Sequence, residues 1–172
     1  MKERLDSLNT ALTSEIRERE FYLNNARRTN NPVGKAMFAQ IADEELEHYE
    51  RLKQLSDSLK EKGKWPATVS LKVKNTVIRD VFMDVIKKVR DMPAGDADDL
   101  EAIRTAIDFE AKGAAFYARI SNEVKDPAEK AFFALLSSIE QEHYASLRDT
   151  EEYLTNPAAW FQKTERSLLD GA

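Results

Sequence analysis

Apolar residues recur along most of the chain at the three- and four-residue spacing of an amphipathic helix. Near the N-terminus this spacing is shown by Leu5, Leu8, Ala11, Leu12 and Ile16. The positions between them are mostly Glu, Arg and other residues that tolerate or favour helices, and only five glycines occur in the 172 residues. The pattern therefore predicts an all-α chain.

Three pairs of residues divide this helical pattern: Asn31-Pro32, Asp126-Pro127 and Asn156-Pro157. Asn and Asp cap helix N-termini and proline fits the first helical position, so each pair should begin a helix. Asp126 with Glu129, and Asp98 with Glu101, also have the spacing of a capping box. We expect four long helices over about 2–30, 32–62, 98–125 and 127–154, and a short tail helix over about 157–168.

The segment at about 63–97, between the second and third long helices, is too long for a tight turn. Its residues 76–90 have apolar positions at helical spacing and should form a short amphipathic helix that caps the bundle or forms a dimer contact. Trp65 is expected to anchor this crossover, and Trp160 and Phe161 should hold the tail helix onto the bundle or a second subunit. Two hairpins joined by a long crossover predict one four-helix bundle domain over residues 1–172.

The composition excludes several functions. Charged residues make up 33% of the chain and the net charge is -5, with both signs interspersed, so we expect no nucleic-acid partner. We find neither a signal nor a transit peptide and no apolar run as long as a membrane span, so we expect no membrane partner and a cytoplasmic location. The absence of cysteine excludes thiolate-bound zinc and cysteine-ligated iron centres in this sequence.

An internal repeat contains the candidate chemistry. A shift of 95 residues aligns the first hairpin, about 2–62, with the second, about 98–154, without a gap. Both histidines of the chain fall on equivalent positions, each three residues after a glutamate. The matched polar and aromatic residues are Glu15 with Glu110, Tyr22 with Tyr117, Glu45 with Glu140, and His48 with His143. Packing of two similar hairpins explains the apolar identities but not this repeated set of Glu and His.

Helix geometry places these residues at one level of the bundle. Glu15 lies 16 residues before Asn31, and Glu45 and His48 lie 14 and 17 residues after it. At about 1.5 Å per residue these are roughly 24, 21 and 26 Å from the turn. The same count about Asp126 applies in the second hairpin. Four carboxylates and two imidazoles should therefore meet near the middle of the bundle.

Such a cluster needs compensating charge. A single Glu and His three residues apart on a helix would be an ordinary solvated pair, but several uncompensated buried carboxylates would be prohibitively costly. Two divalent cations would neutralise four carboxylates, and mixed carboxylate and imidazole ligands favour iron or manganese. The sequence thus predicts a pair of metal ions, two iron ions or alternatively manganese.

At these residues the chain resembles the rubrerythrin-like branch of the ferritin-like superfamily. The resemblance is carried by the paired strings "EIREREFY" and "EAKGAAFY", and "ELEHY" and "EQEHY". It implies a ferritin-like fold in which Glu45 and Glu140 bridge two metals. It further implies that Glu15 with His48, and Glu110 with His143, complete one metal each, that peroxide or oxygen is the oxidant, and that the chain forms a homodimer.

Two departures from that family affect the expected function. No rubredoxin-like domain is present in the sequence, so electrons should come from an external donor such as a rubredoxin-like protein. Gly113 also stands where the family has an additional carboxylate, three residues after Glu110. Glu18, at the equivalent position of the first repeat, is either an extra ligand or a surface charge beside Arg17 and Arg19.

Three functions remain open at this stage: reduction of peroxide or oxygen by a di-metal oxidoreductase, oxidation of ferrous iron for storage or delivery, and a metal-stabilised helical scaffold without turnover. Tyr22 and Tyr117 are expected either to donate hydrogen bonds to metal-bound carboxylates or to pack as core aromatics. We place Glu44 and Glu47 outside the site, because Glu44 is matched by Ile139 in the repeat and Glu47 faces away from Glu45.

Overall fold

The computed structural model describes residues 2–64, 73–88 and 94–170. These residues form six α-helices and include no β-strand. Their bounds are α1 Lys2–Arg28, α2 Pro32–Lys62, α3 Ile78–Lys88, α4 Ala97–Glu123, α5 Pro127–Thr155 and α6 Pro157–Asp170. The predicted all-α fold, with four long helices, a crossover and a tail helix, is confirmed. Trp65 and the expected end of the crossover helix at 89–90 lie outside the described residues.

The helix starts follow the predicted capping chemistry, with one correction. Oδ1 of Asn31 accepts hydrogen bonds from the backbone amides of Val33 and Gly34, and Asp126 caps α5 in the same way. The N-cap of α4 is Asp96, whose carboxylate accepts from the amide of Asp99, so the predicted capping box at Asp98 is wrong. The acceptor has to precede the first helical residue, and α4 begins one residue before Asp98.

The four long helices form two antiparallel hairpins. Helix α1 packs along α2 and α4 packs along α5, and the hairpins meet through contacts of α1 with α4 and of α2 with α5. Helix α3 of the crossover lies across α2 and α5, with Ile78, Phe82 and Ile86 buried. Trp160 of α6 packs edge-on against Phe82 and Tyr153, which holds the tail helix on the same end of the bundle. The apolar face of the crossover helix is therefore covered by α2 and α5, and the dimer contact stays a prediction.

The buried apolar residues form two clusters at different levels of the bundle. One cluster includes Tyr22, Phe38 and Ile103, and the other includes Leu8, Leu55 and Phe133. On every long helix the residues between these clusters include the matched Glu or His positions of the repeat. A charged layer thus separates two apolar layers. In the described part of the chain, no helix combines the length and the apolar character required to cross a membrane.

Candidate metal centre

The structure brings together all six residues that the repeat singled out. Ligand atoms of Glu15, Glu45, His48 and Glu140 lie within 4.8 Å of one another. A second group satisfies the same limit and consists of Glu45, Glu110, Glu140 and His143. Glu45 and Glu140 belong to both groups, and every member is at least 97% buried. The two groups therefore form one continuous site rather than two separate ones.

Each group combines three residues from one hairpin with one from the other. In the first, Nδ1 of His48 lies 3.5 Å from carboxylate oxygens of Glu15 and Glu45, and 3.3 Å from Oε1 of Glu140. In the second, Nδ1 of His143 lies 3.2 Å from Oε2 of Glu110 and 3.8 Å from oxygens of both shared glutamates. Both imidazoles therefore direct the same ring nitrogen toward the shared pair.

Several polar atoms in this layer have no hydrogen-bond partner among the described residues. They are Oε2 of Glu15, both carboxylate oxygens of Glu45, Oε1 of Glu140 and Nδ1 of His48. Buried polar groups in folded proteins nearly always have a partner, and a buried carboxylate without one costs several kcal/mol. Every member of the first group contributes such an atom. These oxygen and nitrogen donors fit divalent metal ions of the iron and manganese type.

The electrostatics of two glutamates in the layer favour a nearby positive charge. Burial, followed by the charges of Glu15 and Glu140, raises the pKa of Glu45 well above its usual range. Burial and the charge of Glu140 raise the pKa of Glu110, against the opposing effect of His143. Both carboxyls therefore favour the protonated form unless cations offset the repulsion. Two divalent ions would supply charge equal and opposite to that of four ionised glutamates.

The two tyrosines of the repeat donate hydrogen bonds between the hairpins. The hydroxyl of Tyr22 in α1 donates to Oε1 of Glu110 in α4, and the hydroxyl of Tyr117 in α4 donates to Oε1 of Glu15 in α1. Both tyrosines are almost fully buried. Each hydrogen bond orients a glutamate that belongs to one group only, Glu110 or Glu15. The second oxygen of that glutamate then faces the histidine of the same group. The tyrosines thus combine the two expected roles, because their hydroxyls donate to site glutamates and their rings pack in the apolar clusters.

A cavity of about 320 Å³ between α1 and α4 reaches the layer. Its lining includes Glu15 and Glu140 of the site, and also Gly113, Glu18 and Tyr117. A Cβ atom at Gly113 would lie 3.5 Å from the side chain of Glu140. The missing side chain at this position therefore helps to open the cavity toward a shared glutamate.

Glu18 lies beside the six-residue layer and belongs to neither group of ligand atoms. Its carboxylate is 3.5 Å from the guanidinium of Arg17, and its side chain is 12% exposed. Burial and the charges of Glu15 and Glu140 raise the pKa of Glu18 to about 8. Glu18 is therefore more than a solvated surface charge, and its role as an extra ligand stays a prediction.

Glu44 is a site residue that the sequence interpretation missed. Its Oε2 lies 2.6 Å from Nε2 of His143, on the side of the imidazole opposite Glu110. The repeat argued against Glu44 because Ile139 is its equivalent. No signal in the sequence marked Glu44, because its contact with His143 depends on how α2 packs against α5. Glu47 does face away from the site, where it contacts the amide of Lys74 and the side chain of Arg51.

Fold and site together define a ferritin-like bundle with a cluster of carboxylates and histidines that could hold metal ions and fits a di-iron protein. The family model described as Rubrerythrin matches residues 6–151. The chain therefore belongs to the rubrerythrin family. A solved structure described as a hypothetical protein from Pyrococcus furiosus is similar, with a TM-score of 0.66 and 26% sequence identity over 88% of this chain and 90% of that one. No curated protein matches the sequence.

Proposed function

We propose that this protein is a non-haem di-iron oxidoreductase that reduces peroxide or oxygen with electrons from an external donor; manganese is the alternative metal. The observation that carries the proposal is the pair of overlapping ligand groups that share Glu45 and Glu140. Sharing of two carboxylates is the arrangement by which ferritin-like proteins hold two metals close together. A single structural metal would need only one of the two groups.

In this proposal Glu45 and Glu140 would contribute to both metal positions. Glu15 and His48 would complete the first position, and Glu110 and His143 would complete the second, in agreement with the two groups. The ligands are oxygen and nitrogen atoms, which iron and manganese accept readily, and the sequence contains no thiolate to select zinc or copper. When bound, an iron pair would supply the two electrons that reduction of peroxide to water requires.

The chain's own residues would hold the ligands in place and admit a small oxidant. Tyr22 and Tyr117 fix one oxygen of Glu110 and Glu15, so that these carboxylates keep their orientation during turnover. The cavity lined by Gly113 and Glu140 offers a path to the shared carboxylates. A purely structural centre has no need of such an opening, which is why the cavity favours a reactive site over a metal-stabilised scaffold.

In this proposal the electrons come from an external donor. Reduction of one peroxide to two waters consumes two electrons and two protons, and the sequence contains no cysteine that could ligate a second redox centre. A small electron-transfer protein of the rubredoxin type fits this requirement. The homodimer also remains part of the proposal, and light scattering on the purified protein tests it directly.

Stopped-flow reaction of the ferrous protein tests the proposed activity. Protein loaded anaerobically with two ferrous ions per chain should be oxidised by one equivalent of hydrogen peroxide, with water as the product. Glu47→Gln is the matched control, because it removes one carboxylate from α2 outside the ligand groups and should react like the unmodified protein.

Each other outcome identifies a different function. Slow reaction with peroxide, together with rapid oxygen-driven uptake of many ferrous ions per chain, would indicate iron handling. Binding of two metals without reaction toward either oxidant would indicate a metal-stabilised scaffold. Either result would refute the proposed oxidoreductase.

A further inference from the structure

The two halves of the metal layer differ at Glu18 against Gly113 and at Glu44 against Ile139, and the second difference places a carboxylate beside only one of the histidines. Glu44 and Ile139 are equivalent under the 95-residue shift. The carboxylate of Glu44 lies 2.6 Å from Nε2 of His143, whereas Ile139 is a buried apolar residue without a polar side-chain atom. No group of the described residues forms a hydrogen bond with Nε2 of His48. Of the two histidines, His143 alone therefore has a carboxylate of the described residues at Nε2, the ring nitrogen on the side away from the shared glutamates.

Glu44 is itself fixed in the position that this contact requires. Its Oε1 accepts hydrogen bonds from the side-chain amide of Gln40 at 2.7 Å and from the backbone amide of Val77 at 3.3 Å. These two donors occupy Oε1 and leave Oε2 for His143. The Glu44 side chain is only 14% exposed, so water competes weakly for it. The contact with His143 is thus part of a network that joins α2, α5 and the crossover.

We infer that the two metal positions are unequal, and that Glu44 makes the position of Glu110 and His143 bind the first divalent ion. This inference rests on the proposed function, since it concerns the same metal pair. An acceptor behind one ring nitrogen holds the proton there, fixes the tautomer and leaves the other nitrogen free to bind metal. Nδ1 of His143 already faces the second group, 3.2 Å from Oε2 of Glu110.

The carboxylate also increases the electron density available at Nδ1. Loss of such partners behind metal-bound histidines typically lowers metal affinity by about 10–100-fold. The position of Glu15 and His48 lacks this contribution, although Tyr117 orients its glutamate just as Tyr22 orients Glu110. We therefore expect the second position, with Glu110 and His143, to bind a divalent ion about 10–100-fold more tightly than the first position, with Glu15 and His48.

Isothermal titration of the full chain with Mn²⁺ tests the inference without an activity assay. His48→Ala leaves the second position intact, and His143→Ala leaves the first. The His48→Ala protein should bind Mn²⁺ about 10–100-fold more tightly than the His143→Ala protein. Addition of Glu44→Gln should remove that advantage in the His48→Ala protein and change little in the His143→Ala protein.

A control and a second measurement separate the possible failures. Glu47→Gln removes a carboxylate on the same helix and should leave both affinities unchanged. If a variant does not fold, crystals of the unmodified protein with less than one equivalent of Mn²⁺ should show stronger anomalous scattering beside His143 than beside His48. Equal affinities or equal scattering would overturn the inference alone. Absence of Mn²⁺ and iron binding by the unmodified protein would overturn the proposed function as well.

Discussion

Glu45→Ala should abolish the stabilisation of this protein by metal while leaving the metal-free fold intact. Glu45 is 1% exposed and belongs to both groups of ligand atoms, so its removal takes one ligand from each metal position. No other His, Asp or Glu of the described residues belongs to either group. Neither position should then retain its affinity.

The expected effect of metal can be calculated from linkage. A ligand present at 100 times its Kd stabilises the folded state by about 2.7 kcal/mol per site. For a domain of this size, 1 kcal/mol corresponds to roughly 2–4 °C in Tm, so each occupied site should raise Tm by roughly 5–11 °C. The unmodified protein should show this increase, and Glu45→Ala should show almost none.

The metal-free stability of the variant should change little, because two effects oppose each other. Loss of the one buried Cγ methylene group costs about 0.8 kcal/mol. Removal of a buried carboxylate without hydrogen-bond partners returns about 1–3 kcal/mol. Urea denaturation of both metal-free proteins should therefore give free energies of unfolding that agree within about 2 kcal/mol.

The assay combines thermal denaturation, with and without Mn²⁺ or anaerobic Fe²⁺, and metal analysis of the dialysed protein. Glu47→Ala serves as the control on the same helix and should keep the full increase in Tm and both metal ions. Retention of two metals and of the Tm increase by Glu45→Ala would refute the assignment of Glu45 as a shared ligand.

Three further predictions concern the tyrosines and the cavity at the layer and an ion pair at the end of the bundle. Tyr117→Phe leaves a buried oxygen of Glu15 without its hydrogen-bond donor, and Tyr22→Phe does the same to Glu110. Each variant should lower the free energy of unfolding, measured in urea, by about 1–3 kcal/mol. No change in either variant would show that the hydroxyls are dispensable. Gly113→Ala should be tolerated, because its Cβ would meet Glu140 at 3.5 Å, whereas Gly113→Leu should fill the cavity and slow peroxide reduction at unchanged metal content. An unchanged rate in stopped flow would exclude this cavity as the entry path. Arg4→Ala removes the partner of Glu129, whose side chain is 4% exposed, and should lower the free energy of unfolding by about 1–2 kcal/mol. The loss is smaller than for a fully buried pair because Arg4 is 39% exposed. Equal stability of the two proteins in urea would contradict a role for this pair.

The long helices and the position of the layer could be predicted because both depend on short-range patterns. Apolar spacing and Asx-Pro pairs locate helix starts such as Pro32 and Pro127 at the observed residues. In an antiparallel hairpin, distance from the turn sets the level of each residue, so Glu15 and Glu45 had to lie at one height. In the second repeat the same count from Asp126 places Glu110 and Glu140 at one height as well.

Contacts between the hairpins could not be predicted in the same way. The hydrogen bonds of Tyr22 and Tyr117 run to glutamates of the opposite hairpin, and which oxygen each hydroxyl reaches depends on the rotation of α1 relative to α4. Glu44 was missed for a related reason. A residue one position before Glu45 points about 100° away around the helix, toward α5, and only the packed structure shows that His143 lies there.

The exchange of residues between hairpins has a consequence for the symmetry of this protein. Each hairpin supplies two glutamates and one histidine. One of the two glutamates, Glu45 or Glu140, also belongs to the ligand group of the other hairpin. The layer is thus an isologous interface within one chain, closed by a pseudo-two-fold axis between Glu45 and Glu140. The crossover joins the two hairpins covalently and so sets the effective concentration at which each meets the other. Residues 2–62 contain two glutamates and one histidine of the layer, so two copies of this segment contain every type of side chain that the six-residue layer uses.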